Sequence, residues 1–175
     1  MKGRIIITDS QTSLQTLTQI FSGSWITQGD WVAAELGIAD LLINGPLIAE
    51  ELAEQTQTHG AALYRLLRAL ASVGIFAQDP HGRFSLTPQA NILRSDVVGS
   101  QRSFGVMMGA EFHEAWGELL HSVQTSNGGF QKRFGVPFFQ YMVEHPVRHG
   151  IYDSAMGGTA GRKSALAEVT AAKVA

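Results

Sequence analysis

The sequence predicts a mainly α fold, a winged helix-turn-helix with a small β-hairpin plus additional helices. Three observations point there. Apolar residues recur at helical spacing over most of the 175 residues. Residues 47–93 read as helix, turn, helix, then two short apolar segments flanking Asp79-Pro80-His81-Gly82, which has turn chemistry. No glycine-rich G-x-G-x-x-G turn follows a strand, so the spacing gives no sign of a nucleotide-binding unit.

Each element follows from local pattern. Residues 1–12 read as a tail. Leu14, Leu17 and Phe21 start a helix from Ser13, which Gly23 is expected to interrupt. A longer helix fits Trp25 to Ile43, on the stripe Trp25, Gly29, Val32, Leu36, Ala39, Ile43. Trp31, Ile38, Leu41 and Leu42 widen the stripe until little is polar. A helix apolar nearly all round is buried, and in a small domain that often means against another chain. Asn44-Gly45-Pro46 stops it. Leu47 to Gln55 is a short helix, and Ala61 to Val73 a second with Leu63, Leu66, Leu67 and Leu70 inward. Gly74 ends that helix. Ile75–Ala77 and Arg83–Leu86 form the hairpin. Thr87 then caps a short helix with Pro88 at its first position. Further helices are expected over 99–108, 111–123, 138–143 and 146–156, with a loop over 125–135. Residues 160–174 read as one more helix, rich in small side chains.

Composition excludes several classes. The chain is 45% hydrophobic and 16% charged, so it has ample apolar material to bury and is not disordered. It has no Cys, which removes disulfides, thiolate metal sites and Cys nucleophiles. No apolar run approaches the ~18 residues of a membrane span, and Ile5-Ile6-Ile7 is too short for a signal-peptide core. The expectation is a cytoplasmic protein without membrane contact. Net charge is −2, unevenly spread. Residues 1–64 carry two basic against seven acidic side chains, and residues 65–175 carry eleven against eight.

That asymmetry bears on the winged helix. The second helix of such a unit can enter a DNA major groove, but phosphates demand clustered Lys and Arg. This one offers Arg65 and Arg68, while the helix before it carries Glu50, Glu51 and Glu54. A packing module without nucleic acid is expected, with a stand-alone transcription regulator as the alternative. Residues 157–164 brush against a phosphate loop, but Arg162 stands where its last Gly must be. His145 and His149 are at i, i+4, yet Pro146 places His145 at a helix cap, so no metal site is expected. His113 and Glu114 read as pocket-lining or as ordinary surface residues. Met107, Met108, Trp116, Phe138, Phe139, Tyr141, Met142, Tyr152 and Met156 form a soft, aromatic set. Such side chains adapt to flat ligands and equally fill cores.

Several stretches carry a family resemblance. Ala33-Ala34-Glu35-Leu36-Gly37-Ile38-Ala39-Asp40-Leu41-Leu42, then Glu50-Glu51-Leu52-Ala53, then Leu63-Tyr64-Arg65-Leu66-Leu67-Arg68-Ala69-Leu70 through Phe76, resemble the plant-type and hydroxyindole-type O-methyltransferases. Gly82-Arg83-Phe84-Ser85-Leu86-Thr87-Pro88 is similar to their wing, and Gly109-Ala110-Glu111 through Met156 keeps the same order. The resemblance spans about residues 13–158. It implies a winged-helix dimerisation domain over 13–98, a helical substrate-cap region over 99–158, and at 159–175 the start of a linker helix to a domain that binds S-adenosylmethionine.

The resemblance also implies a homodimer through the N-terminal helices. It implies a small hydroxylated aromatic or polyketide-like acceptor, touched by Met107, Met108, Trp116, Phe138 and Met156. No catalytic, cofactor-binding or metal-ligating residue carries over, since the family's catalytic His and glycine-rich cofactor loop match nothing here. The expectation is a dimerisation and cap domain that alone binds no cofactor and transfers no methyl group. A non-catalytic dimerisation module remains the other alternative.

Overall fold

The computed structural model describes residues 10–157. The first helix, α1, runs unbroken from Ser10 to Glu35. Gly23 does not interrupt it: a single glycine costs a helix only ~1 kcal/mol, and the flanking residues continue the backbone ladder. The break falls instead at Gly37, which adopts a left-handed φ of 66°. A side chain there would also meet the Arg102 guanidinium, 3.1 Å from the position of a Cβ. α2 (Ile38–Leu41) follows at a new angle. The expected helix from Trp25 to Ile43 is therefore the end of α1 plus α2.

The helix-turn-helix is α3 (Ala49–Thr56) and α4 (Gly60–Ser72). α3 begins two residues later than its apolar pattern suggests, because Leu47 is used elsewhere. Leu47 exchanges two backbone hydrogen bonds with Phe84 (2.7 and 3.1 Å), a one-residue bridge on the other edge of β2. The Glu51 carboxylate caps α3 by accepting from the Ile48 amide at 2.9 Å. β1 (Phe76–Gln78) and β2 (Phe84–Leu86) pair antiparallel, Ala77 opposite Ser85. Their turn is held by Asp79, whose Oδ1 accepts from the amides of His81 and Arg83. Thr87 then caps α5 (Pro88–Asn91): its Oγ1 accepts from the Ala90 amide and donates to the Ile75 carbonyl.

The core sits inside this unit. Ile38, Leu52, Leu67, Leu70, Phe76 and Phe84 are all but completely buried, with Ala33, Leu42 and Leu63 beside them. Arg65 and Arg68 stay on the outer side of α4.

α6 (Arg102–Gly109) lies along the second half of α1 and carries the chain into the remaining helices. Contact is close because α6 presents glycine there. A Cβ on Gly109 would fall 2.1 Å from Cβ of Trp31. Gln28 reaches across and donates to the Gly109 carbonyl at 2.8 Å. Arg102 ties the same two helices: it donates to the Ala34 carbonyl at 2.8 Å and pairs with Asp40 at 2.7 Å.

The expected helix over 111–123 is two, α7 (Glu111–Trp116) and α8 (Leu119–Thr125), separated at Gly117 and Glu118. The expected loop over 125–135 contains a helix, α9 (Gly129–Phe134). α10 (Phe138–Glu144) and a final helix, α11, over residues 146–157 complete the described chain. The expected tail over 1–12 is helical in its last three residues, because α1 already starts at Ser10; residues 1–9, the phosphate-loop-like run after 157 and the helix expected at 160–174 lie outside the described residues.

Candidate functional site

An open aromatic cleft of about 500 Å³ lies among α7, α9, α10 and α11. Its walls are Phe112, Trp116, Phe130, Phe138, Phe139 and Tyr152, with Ala115, Leu119, Ser122 and Gly129 between them. Phe138 is the hub. Its ring meets Phe112, Phe130, Phe139 and Tyr152 edge-to-face, at centroid separations of 5.5, 5.1, 5.1 and 5.0 Å. Edge-to-face contacts place the positive rim of one ring on the negative face of the next, which fixes each orientation. Tyr141 extends the cluster, packing on Phe130 and Phe134 and stacking on His145 at 3.9 Å.

Polar contacts outside the cleft hold its walls. Arg133 of α9 pairs with Glu114 of α7 at 2.6 Å. Arg148 of α11 grips Glu111 of α7 with two parallel hydrogen bonds, Nη2 to Oε2 at 2.7 Å, and both side chains are largely buried. That hydrogen bond to Glu111 raises the Arg148 pKa above its already high ordinary value. The cleft lining itself carries no charge. Its polar side-chain groups are the hydroxyls of Ser122 and Tyr152 and the indole N–H of Trp116. Such a surface suits a flat, uncharged ring system.

Of the five expected acceptor-contact residues, Trp116 and Phe138 share this cleft. Met108 does not line it. It lies in an adjoining groove with Ser24, Thr27, His113, Trp116 and Gly117. Met107 is buried and faces inward from α6. Met156 is partly exposed on α11 and lines none of these cavities. Phe130 is a wall residue that the sequence reading passed over, because 125–135 was read as loop. The available signal was Phe130 and Phe134 at i, i+4 between Gly129 and Gly135.

A second surface stands out on α1. Leu14, Leu17, Ile20, Phe21 and Trp25 are all at least half exposed, Trp25 at 76%. They form an apolar stripe on the first half of a helix whose second half is buried. Contiguous apolar exposure on this scale marks a protein contact. No described helix is long and apolar enough to cross a membrane.

Comparison with known proteins identifies the family. Residues 18–96 match the O-methyltransferase dimerisation domain. Phenazine O-methyltransferase PhzM of Lysobacter antibioticus is 42% identical over 142 residues, 81% of this chain and 42% of that protein. The structure of the mitomycin 7-O-methyltransferase MmcR matches with a TM-score of 0.79 at 33% identity, over 86% of this chain and 45% of that one. The O-methyltransferase NcsB1, solved with S-adenosylmethionine and 2-hydroxy-5-methyl naphthoic acid, matches with a TM-score of 0.68 at 30% identity, over 76% of this chain and 42% of that one. The chain thus spans less than half the length of these relatives. It belongs to the O-methyltransferase family and carries that family's dimerisation domain, whose role is self-association.

Proposed function

We propose that this chain pairs two subunits and walls the acceptor cleft of an S-adenosylmethionine-dependent O-methyltransferase. The observation that carries the pairing is the exposed stripe Leu14, Leu17, Phe21, Trp25 at the start of α1. Two copies joined along it form a homodimer through their N-terminal helices. The outer side of α4, with only Arg65 and Arg68 as cations, supports a winged helix used for packing rather than for phosphate.

The acceptor is read from the cleft. Its uncharged aromatic walls favour a fused-ring phenol, in keeping with the naphthoic acid named with NcsB1. Among the proposed contacts, Trp116 and Phe138 flank the ring system directly, while Met108 extends the surface towards α1; Met107, buried in α6, and Met156, on α11 outside the cleft lining, are the weaker candidates. The chain's contribution is binding, orientation and exclusion of water, which lower the entropic part of the barrier.

Nothing among the described residues fits S-adenosylmethionine. Its fold needs a parallel strand running into a glycine-rich turn and helix. The two described strands pair antiparallel across a turn fixed by Asp79. No chemical step is therefore assigned to these residues.

Sedimentation equilibrium tests the pairing. A dimer is expected for the chain, and a monomer for the double variant Phe21→Asp, Trp25→Asp. A monomeric wild type would remove the pairing claim. Calorimetry with 2-naphthol tests the cleft: Phe138→Ala is expected to weaken binding about tenfold, near the 1.4 kcal/mol scale of one aromatic contact. Unchanged affinity would show that the ring binds elsewhere.

A further inference from the structure

A second cavity, of about 430 Å³, opens between α1, α5 and α6. Ile26, Ile75, Ile92, Leu93 and Phe104 give it apolar walls, and no Lys, Arg or His lines it. Two acceptors in those walls lack a partner, beside the polar side chains of Thr27 and Gln89. Asp30 forms no ion pair or hydrogen bond, and its Oδ2 lies 3.0 Å from where a Cβ on Gly105 would be, so the carboxylate rests over the bare backbone of α6. Burial raises its carboxyl above the ordinary carboxylate range. Gln101 is the other group. Its Nε2 donates to the Gly99 carbonyl at 2.6 Å, which fixes the amide's orientation, because a flipped amide would set oxygen against oxygen. Its Oε1 is consequently turned inward, buried and without a partner.

The cavity therefore offers one carboxylate with no cation beside it, an amide oxygen buried behind the wall, and a largely apolar body around them. Buried acceptors left unpaired are costly, and native proteins keep few of them. We propose that this cavity is a binding site for an organic ammonium ion with a hydrophobic body. Such a ligand supplies what the walls lack: a positive charge for Asp30, and apolar surface for Ile26, Ile92 and Phe104. An anion finds no cation here, and a neutral hydrocarbon leaves the carboxylate unmet. The volume lies within the ~300–1,000 Å³ of small-molecule sites. The site is separate from the aromatic cleft and does not depend on the methyltransferase reading.

Calorimetry of the full chain with phenethylamine tests it, with 2-phenylethanol and phenylacetate as matched neutral and anionic probes. Phenethylamine should bind saturably, at least tenfold tighter than the alcohol, with no binding of the acid. Asp30→Asn should abolish that preference for the amine. Asp30→Asn removes an unpaired charge, so it should fold, which a thermal melt checks. Ile92→Trp, which fills the mouth of the cavity, is a second test that keeps both acceptors and should block the amine. The proposal is overturned if the three probes bind alike, if Asp30→Asn keeps the preference, or if phenethylamine does not bind. The last result would leave water alone, or a second copy of the chain, as the occupant.

Discussion

At Gly109 one missing methyl group sets the spacing of two helices. A Cβ there would lie 2.1 Å from the Trp31 Cβ, and neither atom can rotate away. Gly109→Ala must push α6 off α1, and overpacking of this kind costs about 2–3 kcal/mol; urea unfolding would measure the loss. Asp30 poses the opposite case, a residue whose removal should help. Burial favours its neutral form, so the native state holds the proton more tightly than the unfolded chain. Stability from this group is present at low pH and is lost as pH rises through the native-state value. Asp30→Asn should accordingly raise the melting temperature at neutral pH. The gain should vanish near pH ~3, where the carboxyl is protonated in both states. Equal melting temperatures at neutral pH would show that Asp30 is better solvated than its surroundings indicate.

At the scale of elements, α11 is docked by a largely buried ion pair and by Tyr152, whose ring packs on Phe138 and Phe139. Arg148 and Glu111 are 21% and 11% exposed, and each satisfies the other twice. Removing one partner leaves a charge largely out of water, so Arg148→Met should cost about 2 kcal/mol. Hydrogen exchange should localise that loss to residues 146–157. A globally uniform loss would mean that α11 and the core unfold together. The elements also show how far the sequence could be read. The wing, α3, α4 and α5 follow local rules: apolar spacing, turn chemistry at Asp79, a Thr87 cap before Pro88. Each was legible in order. The start of α3 was not, because the partner of Leu47 is Phe84, far along the chain. Gly23 and Gly37 look alike in sequence, and only Gly37 is driven left-handed, by the turn into α2 and the guanidinium of Arg102. α9 was lost because its six residues sit among glycines, and a helix that short exists only through packing. The cleft was half legible for the same reason. Trp116 and Phe138 sit on helices with clear periodicity, whereas Phe130 depends on α9.

For the whole molecule, the described chain is a winged-helix body from which the front half of α1 projects, with a layer of short helices over its other end. Self-association should therefore be much more sensitive to substitution at Phe21 or Trp25 than the fold is. Trp25→Asp is expected to leave the melting temperature of the dilute chain nearly unchanged while weakening dimerisation at least tenfold, readable by sedimentation across a concentration series. A large loss of stability in dilute solution would show that the stripe packs within its own subunit. The unbroken run of α1 has one further consequence. Each residue of an α-helix turns the chain by about 100°, so the 26-residue rod fixes the angular phase between its outward stripe and its inward face. One residue inserted beside Gly23 would swing the stripe by about a quarter turn and re-aim the attached subunit, although neither half of the helix had changed in composition. Four inserted residues would bring the stripe back to within about 40° of its place. On the pairing proposed above, the orientation of one subunit against the other would be set by a count of residues along α1.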